Sequence, residues 1–209
     1  MKRSQAPRPI SKPIAIAVEG ADYFYSLLAQ IDGPPEFAEV QLWDFSEVGS
    51  ADRFLQLLKS LAGFCTKVRA IGLIRDAEES AESSRNELRL AFERNGLAAP
   101  FEAGEIAAGP PATGFLVMPV GKKSGCIEHA FLDSASCAAT LECAKAFLKC
   151  IDRGGRNDNW RAKVQVHAII AASDRPSATL GQSVRQNLWD LSHPSLAIML
   201  DFVRRLIRG

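Results

Sequence analysis

The chain has 209 residues, of which 47% are hydrophobic and 23% are charged, a composition typical of a globular domain with a sizeable core. Its formal net charge of +1 excludes the global basic field of a strong nucleic-acid binder, although a local basic groove is compatible with it. The five cysteines form no Cys-x-x-Cys pair, which argues against a disulfide framework or a structural zinc site and favours small buried residues.

The N-terminal residues are basic and include two prolines, and they predict a disordered arm over residues 1–12. No apolar run long enough for a signal peptide follows them, and the run at 14–18 is far shorter than a membrane span. We therefore expect a cytoplasmic protein that makes no contact with a membrane.

Strands are predicted to alternate with helices in the first part of the chain. Apolar or alternating runs predict four strands, at residues 14–18, 39–45, 68–75 and 115–120. Helical spacing and capping residues predict helices between them: one that ends at Gly33, one from Ser50 to Gly63, and one from Ser80 or Ser84 to Asn95. Ala, Gly and Pro dominate residues 98–114, which predicts a long loop.

This order of elements predicts an α/β domain over residues 13–135, with a four-stranded parallel sheet and helices on both faces. Residues 136–209 predict a helical C-terminal extension packed on the same domain, with helices at 138–151, 160–172, 182–187 and 194–207. Ligands of open α/β sheets bind beyond the carboxyl ends of the strands, so the residues that follow the strands are the first candidates for a site.

Acidic side chains follow two of the predicted strands. Glu19 ends the run at 14–18, and Asp76 and Glu78 follow the buried run at 70–75. Residues two apart in an extended backbone point the same way, so Asp76 and Glu78 can reach one ion, and Glu19 can complete the site or act as a general acid/base. Carboxylate oxygens suit Mg²⁺ or Mn²⁺ bound together with substrate phosphates. The pattern therefore predicts a metal-assisted phosphoryl-transfer site.

These acids resemble the motifs of the Toprim domain, which occurs in topoisomerases, bacterial primases and nucleases. Val18-Glu19-Gly20 resembles the family's element after its first strand, where a Glu acts in acid/base chemistry or metal binding. Asp76-Ala77-Glu78 resembles the family's Asp-x-Asp, which binds Mg²⁺, with Glu78 where the family has Asp. The resemblance implies a Rossmann-like Toprim fold, with Glu19 as the catalytic residue and Asp76, Glu78 and Glu19 as metal ligands.

The resemblance extends to a stand-alone bacterial and archaeal Toprim-like family of unknown function. It rests on the pattern from Ala70 to Pro100, on Gly125-Cys-Ile-Glu128, which looks like that family's Gly-x-Leu-Glu element, and on the segment from Leu188 to Phe202. The similarity therefore covers residues 13–207.

Four further residues are candidates for supporting the metal ligands or for contacting substrate. Asp22 lies near the start of the first helix and Glu128 opens a later one, where an acid also suits the helix dipole. Lys122 and Lys123 lie in a glycine-bearing loop near the predicted strand ends, where they either meet phosphate or stay solvated. That loop lacks the spacing of a P-loop.

The leading hypothesis is Mg²⁺-dependent cleavage of phosphodiester bonds in nucleic acid by a nuclease-like enzyme. The alternative is a non-catalytic Toprim-like module that binds a nucleotide, a nucleic acid or a protein partner. A third interpretation is a flavodoxin-like binder of small phosphorylated ligands. It needs a phosphate-cradling loop after the first strand, where Glu19 would repel the ligand unless a cation intervened.

Overall fold

A largely parallel sheet lies at the centre of the structure. The computed structural model describes residues 8–30 and 35–209 of the chain. Within these residues the sheet has five strands: β1 (Ile14–Val18), β2 (Val40–Asp44), β3 (Ala70–Asp76), β4 (Ile106–Ala107) and β5 (Ala112–Met118). Their order is β2-β1-β3-β5-β4, and neighbouring strands are parallel except for β4 with β5. The predicted α/β class is therefore confirmed, while the sheet, predicted to be parallel, has one antiparallel edge pair.

Helices connect and cover these strands. In the described part of the chain they are α1 (Ala21–Gln30), α2 (Phe45–Val48), α3 (Ala51–Ser60), α4 (Phe64–Lys67), α5 (Ala81–Arg94), α6 (Ile127–Asp133), α7 (Ala138–Ile151), α8 (Asp158–Ala171), α9 (Leu180–Ser183) and α10 (Pro194–Arg208). Two 3₁₀ segments, Pro35–Glu39 and Val184–Gln186, accompany them. No helix among the described residues is long and apolar enough to cross a membrane.

Both faces of the sheet are buried under helices. Successive residues of β1 point to opposite faces: Ile14, Ile16 and Val18 pack in one cluster with α1, α6 and α10, while Ala15 and Ala17 pack in another with α3 and α5. Strands that are apolar at every position are typical of parallel sheets covered on both sides. The helices therefore lie on both faces, as the alternation of elements predicts.

The C-terminal helix α10 is part of the core. Phe202, Val203 and Leu206 are fully buried, in the same cluster as one face of the sheet. At Gly72 of β3 the helix comes so close that a Cβ atom built there would lie 2.6 Å from Leu206 Cδ1. The helical residues after 136 therefore share a core with the sheet.

The sheet differs from the predicted one by a short antiparallel edge strand, so the expected count of four strands was wrong. β4 lies inside the predicted loop at 98–114, where two residues are too few to give a periodic pattern. β5 begins at Ala112, earlier than the predicted residue 115, because its first three residues pair with the start of β3. Gly114 also lets Ile106 of β4 approach closely. A Cβ atom at Gly114 would lie 2.6 Å from Ile106 Cδ1.

The N-terminal residues and the cysteines also differ from the prediction. Residues 1–7 of the predicted arm lie outside the described residues. Ile10 is buried, and the Ser11 N–H donates to Gln41 Oε1 at 2.8 Å, so residues 8–12 pack against β2 instead of extending into solvent. Of the five cysteines, Cys126 is buried and the other four are exposed, contrary to the expectation of small core residues.

We predict that Gly72→Ala lowers the free energy of unfolding by about 1–3 kcal/mol, because the added methyl group overpacks the contact with Leu206. Leu206→Ala alone should lower it by about 2–5 kcal/mol through the cavity that it leaves. The double variant should lose less than the sum, since a shortened Leu206 makes room for the methyl group. Urea denaturation measures all three values, and strictly additive losses would contradict the packing of α10 on β3.

Candidate metal centre

Three carboxylates converge at the carboxyl end of the sheet. Glu19 follows β1, Asp76 ends β3, and Glu78 lies in the turn that follows. β1 and β3 are neighbours with Val18 opposite Ile74, and the Glu19 N–H donates to the Ile74 carbonyl at 3.1 Å, which fixes the two strand ends side by side. One oxygen of each carboxylate lies within 4.8 Å of the other two. The structure therefore brings together the residues that were predicted to hold a metal ion.

A turn after β3 brings Glu78 to Asp76. Glu78 has a φ of 51°, in the left-handed region that residues other than glycine seldom adopt. Its N–H donates to the Gly125 carbonyl at 2.8 Å, and its own carbonyl accepts from the Gly125 N–H at 2.8 Å. The backbone from Asp76 to Glu78 is therefore not extended, so that expectation was wrong. The two side chains nevertheless lie close together.

Ser84 of α5 forms hydrogen bonds to the backbone of the same turn. Its hydroxyl lies 3.2 Å from the carbonyl oxygens of both Asp76 and Ala77, to which it donates. Of the two predicted starts of this helix, Ser80 is the correct one, because its side chain caps α5. A small buried hydroxyl therefore supports the backbone that carries the acids.

Asp76 is the most enclosed of the three acids. It is 6% exposed, whereas Glu19 is half-buried and Glu78 is exposed, and its Oδ1 accepts from the Ile127 N–H at 2.9 Å. Burial, followed by the negative charges of Glu19 and Glu128, raises the pKa of Asp76 to about 8. Burial also raises the pKa of Glu19, although a hydrogen bond from the Asp76 N–H lowers it. A divalent cation would relieve this repulsion between carboxylates.

Arg75 supplies positive charge beside Glu19. Its Nε lies 3.9 Å from Glu19 Oε2, and its Nη1 lies 2.5 Å from Glu87 Oε1. Both pairs are partly exposed, and such ion pairs contribute only about 0–1 kcal/mol to stability. Arg75 is therefore held mainly by Glu87 and stays close enough to contact an anion bound at the cluster.

The C-terminal extension contributes two residues that the sequence analysis did not single out. Asn159, in the first turn of α8, donates from Nδ2 to Glu78 Oε2 at 2.9 Å. Lys163 lies one turn further along α8. Burial lowers its pKa, but the negative charges of Glu128, Asp76 and Glu78 outweigh the burial, so the pKa is raised. No local motif marks Asn159 or Lys163, because their positions depend on how α8 packs against α6.

A hydrogen-bonded link between α6 and α8 positions Asn159. The Cys126 N–H donates to His129 Nδ1 at 3.1 Å, which leaves Nε2–H to donate to Asp158 Oδ2 at 2.9 Å. His129 thus ties the two helices together. Burial, and then the charge of Glu128, raise the pKa of the Cys126 thiol, which argues against a thiolate nucleophile at this site.

The four supporting candidates fall in different places. Glu128 is not one of the three converging carboxylates, but its Oε2 is buried with no hydrogen-bond partner among the described residues. Lys122 Nζ pairs with Asp133 Oδ2 at 3.0 Å, and the Lys123 side chain is exposed. Neither lysine forms an ion pair with the converging carboxylates in the part of the chain described. The side chain of Asp22 lies outside the described residues.

The donor set suits a hard divalent cation. Three carboxylates, one of them buried, match the oxygen ligands of Mg²⁺ or Mn²⁺, which also keep waters and phosphate oxygens in their coordination shell. The buried and unpaired Oε2 of Glu128 is a further acceptor near them. The residues present therefore fit a divalent metal ion.

The raised pKa of Asp76 has a consequence for stability. The unfolded carboxyl titrates near its ordinary value of 3.8 and the folded one near 8, so between these values the metal-free fold holds a proton that the unfolded chain has lost. This contribution to stability is complete below the ordinary value and is lost as the pH rises through the folded value. Asp76→Asn removes the titration and keeps the oxygen that accepts from the Ile127 N–H.

We therefore expect the melting temperature of the metal-free wild type to fall relative to that of Asp76→Asn as the pH rises from 3.8 to about 8. Millimolar Mg²⁺ should raise the melting temperature of the wild type increasingly over the same interval, because the cation competes with the proton. Thermal denaturation at a series of pH values measures both effects. Parallel curves for the two proteins, with and without Mg²⁺, would contradict a buried ionisable metal ligand.

Asn159→Ala should weaken Mg²⁺ binding by about 10–100-fold, since hydrogen bonds that orient a metal ligand typically contribute that much. Asn86→Ala is the matched control, because Asn86 is exposed on α5. Calorimetric titration of Mg²⁺ into both variants measures the two affinities. Equal affinities would show that α8 has no part in holding Glu78.

A known protein family matches most of the chain. A family model described as "Protein of unknown function (DUF3226)" matches residues 15–208, which include the sheet, the converging carboxylates and the C-terminal helices. No curated protein and no solved structure matches the chain. The chain belongs to the DUF3226 family of proteins of unknown function.

Proposed function

We propose that the protein is a Toprim-like enzyme that uses Mg²⁺ or Mn²⁺ to cleave phosphodiester bonds in nucleic acid, most simply a nuclease. The observation that carries the proposal is the convergence of Glu19, Asp76 and Glu78 within 4.8 Å. These acids are the ones that resemble the Toprim motifs, and Glu19 and Asp76 are 57 positions apart in the chain. Helix capping does not account for Asp76 or Glu78, because Ser80 caps the helix that follows.

The site residues have distinct roles in this reaction. When bound, the cation supplies charge neutralisation and Lewis-acid polarisation of the phosphate. Asp76 and Glu78 would hold it, and Asp76 would give up its proton when the cation binds. Arg75 and Lys163 add positive charge near the cluster, where the phosphate gains negative charge in the transition state.

Glu19 is suited to the proton transfer. Hydrolysis forms a bond between a water oxygen and phosphorus, breaks one P–O bond and places a proton on the departing oxygen. The attacking water loses a proton to solvent, and solvent returns one to the proton donor after each turnover. Because burial raises the pKa of Glu19, its carboxyl group holds a proton more readily than an exposed glutamate does. It can therefore donate that proton to the departing oxygen as a general acid.

Cleavage assays on linear DNA, circular DNA and RNA, with Mg²⁺, Mn²⁺ or EDTA, test the proposal. We expect metal-dependent cleavage by the wild type, and we expect Asp76→Asn and Glu78→Gln to lose both cleavage and the metal-induced rise in melting temperature. Glu19→Gln should lower the cleavage rate by about 100-fold or more, the usual contribution of a general acid.

The matched control is Glu79→Gln, because Glu79 is an exposed neighbour of Glu78 that does not belong to the cluster. It should retain both cleavage and the response to metal. If the wild type cleaves none of the substrates and shows no thermal shift with either metal, the proposal is wrong.

A non-catalytic Toprim-like module is the second candidate. Two observations favour it: Glu78 replaces the Asp of the Toprim motif and already accepts a hydrogen bond from Asn159, and Glu19 Oε2 lies 3.9 Å from Arg75. Such a module would bind a nucleotide, a nucleic acid or a protein partner without cleaving it. Metal-dependent binding of nucleic acid with no product would favour this candidate over the enzyme.

The flavodoxin-like alternative has less support. A binder of that kind wraps a loop around phosphate after its first strand. Here the connection between β1 and α1 consists of Glu19 and Gly20, which is too short to enclose a phosphate group.

A further inference from the structure

A cavity of about 490 Å³ opens beside the candidate metal centre. It lies at the carboxyl ends of β1 and β2, and Glu19 belongs both to its wall and to the carboxylate cluster. On the Glu78 side of the cluster, Asn159 of α8 already occupies the neighbouring position. If the phosphate of a substrate binds at the metal centre, the rest of the substrate can therefore lie in this cavity.

The cavity wall is polar and carries charges of both signs. Arg75 is its cation and lies next to Glu19, at the end that adjoins the cluster. The carboxylates of Asp44 and Glu87 and the hydroxyl of Ser46 are hydrogen-bond acceptors in the same wall. Because carboxylates repel a ligand that consists only of phosphate, the wall suits a ligand that presents hydroxyl or amino donors away from its phosphate.

The size of the cavity and one aromatic side chain narrow the ligand further. Cavities of about 300–1,000 Å³ hold ligands of drug size, and a single nucleotide is of that size. Phe45, which is half-buried in the wall, offers an apolar ring for a base, and stacking on such rings is a general mode of base recognition.

Asp44 occupies a position at which other parallel sheets carry an acid that binds ribose. It ends β2, the strand beside β1, and its side chain lies in the cavity wall. In dinucleotide-binding α/β folds, an acid at this place accepts a hydrogen bond from a ribose hydroxyl. A carboxylate here therefore distinguishes ribose, which offers the 2′-hydroxyl donor, from deoxyribose, which lacks it.

We infer that the cavity binds one ribonucleotide, with the base against Phe45, the ribose hydroxyls donating to Asp44, and the phosphate between Arg75 and the metal centre. This inference rests on the proposed function, because the metal ion helps to hold the phosphate. The nucleotide is either free or the end of an RNA strand, and the same groups recognise it in both cases. If the occupant is a strand end, RNA and not DNA is the nucleic acid on which the enzyme acts.

Two variants separate the cavity from the metal centre. Asp44→Asn removes a negative charge and keeps the cap of α2, since Asp44 Oδ1 accepts from the Ser46 N–H at 2.7 Å and asparagine caps equally well. Ser46→Trp fills the cavity from an exposed position on α2. Its matched control is Ser60→Trp, at the exposed end of α3 and outside the cavity.

Calorimetric titration of the full chain in Mg²⁺ measures the binding of adenosine 5′-monophosphate, its 2′-deoxy form and inorganic phosphate. We expect the ribonucleotide to bind about tenfold or more tightly than the deoxynucleotide, as one hydrogen bond to a charged acceptor implies. Asp44→Asn should remove most of that ratio, and Ser46→Trp should abolish nucleotide binding while Ser60→Trp retains it. All three variants should keep the rise in melting temperature with Mg²⁺ alone.

Equal affinity for the two nucleotides, or binding of inorganic phosphate alone, would overturn the inference. That failure is distinct from failure of the proposed function, which would appear as no response to Mg²⁺ and no cleavage by the wild type. If Mg²⁺ still raises the melting temperature but the protein binds both nucleotides equally, only the assignment of the cavity to a ribonucleotide is refuted.

Competition experiments identify the source of the nucleotide. If a short linear RNA displaces adenosine 5′-monophosphate and the same RNA closed into a circle does not, the occupant is a strand end. If neither RNA displaces it, the occupant is a free nucleotide. If the circular RNA displaces adenosine 5′-monophosphate, the inference that the cavity holds a single nucleotide is wrong.

Discussion

The buried carboxyl group of Asp76 is the feature on which the rest of the site depends. Burial and two neighbouring acids raise its pKa to about 8. The carboxyl group therefore resists ionisation until a cation binds beside it. The Ile127 N–H bonds one of its oxygens, and Ser84 holds its backbone, so the side chain cannot turn away to solvent. Strongly shifted carboxyl groups of this kind concentrate at functional sites, where a proton or a cation is exchanged.

The same site joins the two parts of the chain. β1 and β3 carry the converging acids, while α6 and α8 supply the Ile127 N–H and the side chain of Asn159. The C-terminal helices are also fixed to the sheet, because α10 packs against β3 where Gly72 leaves room for Leu206. The helical extension is therefore a wall of the site and a part of the core.

Much of the site was predictable because its main residues follow buried strands. Apolar runs at 14–18 and 70–75 located β1 and β3, and the parallel arrangement placed Glu19 beside Asp76. Asn159 and Lys163 were not predictable, since nothing in the local pattern shows where α8 packs. The left-handed backbone of Glu78 was missed because it depends on pairing with Gly125, and β4 was missed because two residues carry no periodicity.

We expect Asp76 and Glu78 to bind one divalent cation beside Glu19, the third converging carboxylate. A crystal structure of the full chain soaked in Mn²⁺ tests it most directly, because the anomalous signal locates the metal independently of any activity. We expect a single strong peak at about 2.1 Å from an oxygen of Asp76 and from an oxygen of Glu78. If the three side chains are well ordered, no peak is present and Arg75 has moved in to neutralise Glu19, the expected metal site does not exist.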